Sequence, residues 1–172
     1  FIEYNTTQAT MDAEITAGKN ANLGYWAFLR YRASTQMNAA FDLYQSSGIK
    51  TQMPYCWILY QDYFGSTGNF ASQVAGIVTR MLDAHWIKVL TNRPLLYILW
   101  DDSTFAGWWG SSLVNFKAAI DALRAAATGA GLGDPYIVVM HGSSTLTFAA
   151  QKTGIGADAV SAYISEVRPN AL

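Results

Sequence analysis

"RPLLYILWDDSTFAGWWGSS", residues 93–112, carries the most information about the architecture of this chain. Its first half is a near-continuous apolar run, the pattern of a strand covered on both faces in a parallel sheet rather than of a half-solvated antiparallel one. The run ends in Trp100-Asp101-Asp102 and passes into a segment read as a loop, with a second pair of indoles at Trp108 and Trp109. A buried strand that terminates in carboxylates and aromatic rings has the composition of a ligand site at a strand's carboxyl end.

Moving outward, helical and strand-like patterns alternate. Residues 8–20 place Met11, Ile15 and Lys19 on one helical stripe, with Gly18 near the end, and "NLGYWAFLRY" (22–31) follows as a strand. Residues 36–46 put Met37, Ala40, Phe41 and Tyr44 at helical offsets, Gly48 is a C-terminal stop, and "MPYCWILY" (53–60) is the second strand. Asn69 or Ser72 caps a helix with an apolar face of Val74, Ile77, Val78, Met81 and Leu82. "KVLTNRPLLYILW" (88–100) returns to the sheet, with Asn92 suited to a tight turn before Arg93-Pro94. Ser111 or Ser112 opens the longest helix, with Leu113, Phe116, Ile120 and Leu123 inward, and Gly129 and Gly131 close it before "PYIVVMHG" (135–142). A short helix over 146–152, ended by Gly154, precedes the last strand, "ADAVSAYI" (157–164).

This alternation predicts an α/β fold of parallel βα repeats in one domain, residues 1–172, with helices on at least one face of the sheet. Five strands are countable. An eight-stranded βα barrel takes about 250 residues, so the first reading is a partial (β/α)8 TIM-type barrel, an excerpt of a larger one, whose sheet edges the remainder of the barrel or another subunit covers. The alternative is an open five-stranded doubly wound sheet. Both place ligands at the carboxyl ends of the strands.

Composition narrows the classes of function. A chain of 172 residues that is 51% hydrophobic and 13% charged is a globular domain. Its net charge of −1, without a Lys/Arg run, lacks the driving force for nucleic-acid binding. Every long apolar stretch is interrupted before the roughly 18 residues that span a bilayer, so no membrane insertion is expected. Cys56, the only cysteine, sits in "PYCWILY" and reads as a buried thiol. The chain begins at Phe1, as a processed chain or an excerpt would, and "NTT" (5–7) is a glycosylation sequon that chance also explains. Aromatic residues make up 14% of the chain, more than core filling demands, which assigns some rings to a ligand surface.

The strand ends deliver Arg30, Tyr31 and Arg32, then Tyr60, Gln61, Asp62 and Tyr63, then Trp100, Asp101 and Asp102, then His141, and finally Tyr163 and Glu166; Trp26, within a strand, and Trp108 and Trp109, in the segment after Asp102, are further candidates for binding. Sugars offer C–H faces that stack on rings and hydroxyl rims that bond carboxylates and guanidinium groups, so the expected ligand is an oligosaccharide or polysaccharide. Adjacent strand residues point to opposite sides, so only one of Asp101 and Asp102 faces a given site. Asp101 is the choice; the competing account has Asp102 capping the turn and Asp101 accepting backbone N–H groups. Trp26 has core packing as its simpler reading, and so does one ring of the Trp108-Trp109 pair. Hydrolysis of a glycoside takes two carboxyl groups, for which Asp101 and Glu166 are the candidates, Glu166 being equally a surface acid of "ISEVRPN" (164–170). His85 and His141 lack companions at metal-ligand spacing, "HGSS" (141–144) lacks a nucleophile elbow, and "GAGLGD" (129–134) follows a helix rather than a strand. No cofactor or metal is expected.

The succession "GYWAFLRY" (24–31), "AAFDLYQSSGIKTQMPYCWIL" (39–59), "WIKVLTNRPLLYIL" (86–99), "LRAAATGAGLGDPYIVVM" (123–140) and "GADAVSAY" (156–163) resembles the glycoside hydrolase family 99-like proteins. The segment over residues 88–98 carries most of that resemblance. It implies the central part of a (β/α)8 barrel, a secreted or envelope-associated protein and activity on polysaccharides. The family's Glu-Trp-x-Glu motif has no counterpart in this chain, and Ile58, Leu59 and Tyr60 stand where the family often has a glutamate after its third strand. The resemblance therefore transfers no catalytic pair, and carries over only an acid in the cleft at Asp101. A non-catalytic carbohydrate-binding protein and a structural or assembly protein remain as alternatives.

Overall fold

The computed structural model describes residues 7–32, 35–143 and 147–162. Helix α1 (Gln8–Asn20) starts at Thr7, whose hydroxyl accepts the Thr10 N–H, and buries Met11 and Ile15. Strand β1 (Trp26–Arg30), helix α2 (Thr35–Ser46), strand β2 (Tyr55–Tyr60) and helix α3 (Phe70–Met81) follow in turn. Strands β3 (Lys88–Val89) and β4 (Arg93–Asp101) lead to helices α4 (Asp102–Trp109) and α5 (Leu113–Gly129). Strand β5 (Tyr136–Ser143), helix α6 (Phe148–Ile155) and strand β6 (Ala159–Ala162) complete the series. Ser112 caps α5 through the Asn115 N–H, and the expected face of Phe116, Ile120 and Leu123 is buried.

The fold is α/β, with five parallel strands in the order β1-β2-β4-β5-β6 and β3 antiparallel on β4. The expected single strand over 88–100 is therefore a hairpin. Leu90, Thr91 and Asn92 all take positive φ, which reverses the chain and makes residues 93–101 the true sheet strand. Trp108 and Trp109, expected in a loop, form the last turn of α4, which ends because Gly110 adopts a left-handed conformation. Helix α6 begins later than expected and runs past Gly154 to Ile155.

Each parallel connection advances one strand in the same direction, and right-handed crossovers of that kind place their helices on one face. Packing agrees. Alternate residues Tyr55 and Trp57 of β2 meet Phe41 of α2, and Trp100 of β4 meets Phe116 of α5. Helix α3 packs on α5, and α5 on α6. The intervening residues Cys56, Ile58, Leu95, Tyr97, Leu99 and Val138 line the opposite face, where the Tyr25 and Tyr97 hydroxyls share a hydrogen bond of 2.7 Å across β2. Among the described residues no helix is long and apolar enough to cross a membrane.

The two ends of the sheet differ in chemistry. At the amino ends, Arg93 and Arg124 hold Asp158 at 2.6 and 3.0 Å, and Arg124 holds Asp134 at 2.6 Å. Asp158 also accepts the Ile137 N–H, so this network ties the starts of β4, β5 and β6 together. The carboxyl ends carry aromatic rings, hydroxyls and acids instead.

Candidate functional site

Register sets the site. Arg30 pairs with Leu59 and Tyr60 with Leu99, so the carboxyl ends of β1, β2 and β4 lie side by side. Tyr60 faces away from the helices, and its ring meets that of Tyr31 at 4.9 Å between centroids and a 44° tilt. Its hydroxyl accepts a hydrogen bond of 2.8 Å from Thr104 Oγ1, in the first turn of α4.

That turn is built by Asp101. The register of β4 against β5 shifts between Trp100 and Asp101, and the Asp101 carboxylate then caps α4, Oδ1 accepting the Thr104 N–H at 2.8 Å and Ser103 Oγ at 2.5 Å. Burial raises the Asp101 carboxyl, but hydrogen bonds from Ser103, Thr104 and Tyr60 outweigh it and hold the group below the usual carboxylate range. Asp101 is thus an anion at neutral pH, fixed at the mouth of the strand ends.

After Tyr60 the chain makes a short 3-10 turn, Gln61–Phe64. Gln61 is 0% exposed, and its Oε1 accepts the Asp101 N–H at 2.8 Å. A backbone N–H can only donate, so this bond fixes the amide orientation and directs Nε2 away; Nε2 is buried without a partner. Asp62 receives only a long 3.5 Å hydrogen bond from the Arg32 N–H. Burial pushes its carboxyl above the usual range despite the opposing pull of Arg32. Gly65 ends the turn at φ +84°, where an added Cβ would lie 2.3 Å from Asn69 Oδ1. Glycine there, with Asn69 accepting the Ser66 N–H at 2.8 Å, sets the path of the Asp62 segment. Arg32 lies over the Trp108 ring at 5.4 Å, and Trp108 keeps 40% of its surface exposed.

Of the residues singled out from sequence, Asp101, Tyr60, Asp62 and Trp108 therefore gather at this end of the sheet. Others do not. Trp100 (1% exposed) and Trp109 (0%) lie in the helix layer, Trp100 against Phe105 and Trp109 against Phe70, with Phe116 touching both. Packed there, they anchor α4 and α5 and present no ring face to a ligand. Asp102 turns back to accept the Trp100 indole N–H at 3.0 Å. Trp26 packs against Phe28 and Tyr44, its core reading. Arg30, 9% exposed, sits between Phe41 and Trp57 on the helix side and bonds the Asn38 carbonyl. His141 pairs with Trp100 in β5, but its side chain lies outside the described residues, as do Tyr163, Glu166 and Asn5 of the sequon.

Tyr31 and Gln61, also placed at strand ends by sequence, contribute here, and the contributors that were not singled out are Ser103 and Thr104. Their signal was present in "DDST", a carboxylate followed by hydroxyl residues at capping distance. Among the described residues no group of three or more His, Cys, Asp or Glu side chains is arranged to hold a metal ion. No protein-family model, curated protein or solved structure matches this chain.

Proposed function

We propose that the carboxyl ends of β1, β2 and β4 form a carbohydrate-binding cleft in a glycoside hydrolase-like barrel, of which the described βα units are one part. The observation that carries this reading is the Tyr31–Tyr60 ring pair standing beside the ionised Asp101 and the Ser103 and Thr104 hydroxyls. Rings supply a stacking surface for the C–H face of a sugar, and the fixed carboxylate and hydroxyls supply partners for its rim. Trp108 adds a half-exposed ring beside Arg32.

The barrel part of the proposal is supported by topology. Strand order advances without the reversal that creates a doubly wound switch point. Tyr25, the residue before β1, and Tyr97 of β4 share a hydrogen bond across the intervening β2, whose Cys56 is fully buried, a contact that resembles the layering of side chains inside a barrel. The likeness of residues 24–163 to the family 99-like hydrolases is a further, sequence-level support.

The test is a glycan array probed with the protein and with Asp101→Asn, followed by reducing-sugar release from any glycan bound. Binding by the wild type that is lost in the variant supports the cleft. Binding to no glycan, or binding indifferent to Asp101, contradicts it. Binding without sugar release assigns a carbohydrate-binding role without cleavage.

A further inference from the structure

We propose that a phosphate group binds between α2 and α3, with the Arg30 guanidinium at the floor of the site and Arg80 at its rim. The site lies on the helix side of the sheet, so it is separate from the cleft and does not depend on the carbohydrate reading. Arg30 and Tyr31 are consecutive in the chain and face opposite ways, which sets the two sites back to back at the end of β1.

Charge is the first ground. Arg30 is 9% exposed, yet no carboxylate lies within 4.0 Å of it among the described residues. Arg93 and Arg124, by contrast, each hold a carboxylate at 2.6 Å. A guanidinium removed from water is costly unless an opposite charge meets it. The rings of Phe41 and Trp57 cover its faces, 4.8 and 5.2 Å from Cζ to their centroids, and supply part of that compensation. Arg80 brings a second cation to the same ring, its Cζ 5.8 Å from the Phe41 centroid, near enough for the two charges to oppose each other. Asp42, exposed on α2, acts on Arg30 from beyond ion-pair distance and is one acid against two guanidinium groups. An anion between the arginines relieves their repulsion and supplies the partner that Arg30 lacks.

Unmet polar atoms are the second ground. Arg30 Nη1 donates to the Asn38 carbonyl at 3.2 Å and the guanidinium also bonds the Tyr63 side chain, but the Nε–H is buried without an acceptor. Trp57, 2% exposed and 5.6 Å from the Tyr63 ring between centroids, has a buried indole Nε1–H in the same state. Asn38 has the opposite need. Its Nδ2 donates to the Tyr31 carbonyl at 3.3 Å, which fixes the amide orientation and leaves a buried Oδ1 with no donor. Two donors and one acceptor beside a buried cation are the complement of a hydrogen phosphate group, which offers bare oxygens and one P–O–H. Sulfate lacks that hydroxyl, and water brings no charge. Packing leaves an approach: α3 packs on α5 and α2 on α1, while α2 and α3 meet through the Phe41–Arg80 contact, and Arg80 is exposed.

The experiment is calorimetric titration of the protein with inorganic phosphate, glucose 6-phosphate and sulfate, at ionic strength matched with chloride. Phosphate is expected to bind one-to-one, and sulfate about 10-fold more weakly because it leaves the Asn38 acceptor unmet. Arg80→Gln, an exposed substitution, is expected to weaken phosphate binding about 10- to 100-fold, and Trp57→Phe, which keeps a ring but removes the indole donor, about 3- to 10-fold. Lys152→Gln, the same loss of charge on the exposed side of α6, is expected to bind as wild type does. The Trp57 indole N–H resonance should move during titration, and that of Trp109, also buried without a partner, should stay in place. Glucose 6-phosphate binding as tightly as the free ion assigns the site to phosphate esters, and a preference for the free ion assigns it to phosphate itself; both support the site. No phosphate binding, sulfate binding as tightly as phosphate, affinity untouched by Arg80→Gln, or an equal loss in Lys152→Gln overturns it.

Discussion

Asp101 performs two tasks that substitution can separate. As the cap of α4 it accepts the Thr104 N–H at 2.8 Å, and Asn fills a capping position as well as Asp does. Asp101→Ala removes the cap and should destabilise the protein by about 1 kcal/mol, lowering Tm by about 2–4 °C for a domain of this size. Asp101→Asn should stay within about 0.5 kcal/mol of wild type. The carboxylate charge is lost in both. A hydrogen bond to a charged group contributes about 1.5–3 kcal/mol, so both variants should bind the cognate glycan about 10- to 100-fold more weakly. Calorimetry on the three proteins measures both quantities. The reasoning is refuted if Asn is as destabilising as Ala, or if Asn leaves glycan affinity unchanged.

Three other outcomes follow from the packing and charge layout. Phe116 is buried among the Phe64, Trp100, Phe105 and Trp109 rings, so Phe116→Ala should lose about 3–5 kcal/mol in urea unfolding; a loss under 1 kcal/mol would mean the helix layer is not packed this way. Burial raises the Asp158 carboxyl, but the Ile137 N–H and the two arginines outweigh it and depress it. Its stabilisation is therefore present above the unfolded carboxylate pKa, about 3.9, and is lost as pH falls through the lower folded value. Asp158→Asn should flatten the acid limb of a Tm-against-pH curve, and an unchanged limb counts against the network. Cys56 is fully buried, and burial raises its thiol pKa, so a thiol reagent should label it only after denaturant is added.

Much of the architecture was legible because strands and helices announce themselves through period and punctuation. The continuous apolar runs at residues 55–60 and 95–100 read as parallel strands covered by helices on at least one face, and Ser112 and Asn92 marked a helix start and a turn by their side-chain chemistry. The turn at Asn92 was expected, but not the antiparallel pairing of residues 88–89 onto β4, because Leu90 and Thr91 also adopt positive φ, which composition does not signal. The site was legible in part. Alternation along β4 implied that Trp100 and Asp101 point to opposite faces, but not which face carries the helices; packing of α5 on Trp100 decides that and leaves Asp101 as the cap of α4. Trp109 and Arg30 were drawn in by residue type, though their rings and charge are absorbed by Phe116, Phe41 and Trp57. Gln61 was placed at a strand end by sequence, but an ordinary polar loop explained it as well as a binding loop did; its buried amide without a partner is visible only in the structure.

The central claim is that the strand ends around Tyr60 and Asp101 receive a carbohydrate, and amide chemical shifts recorded during titration with an array-selected oligosaccharide test it most directly. The account predicts saturable shifts concentrated at residues 60–63 and 101–104 and at the Trp108 indole, with the Arg93–Asp158 end of the sheet unmoved. Shifts confined to that opposite end, or none at saturating oligosaccharide, would contradict it.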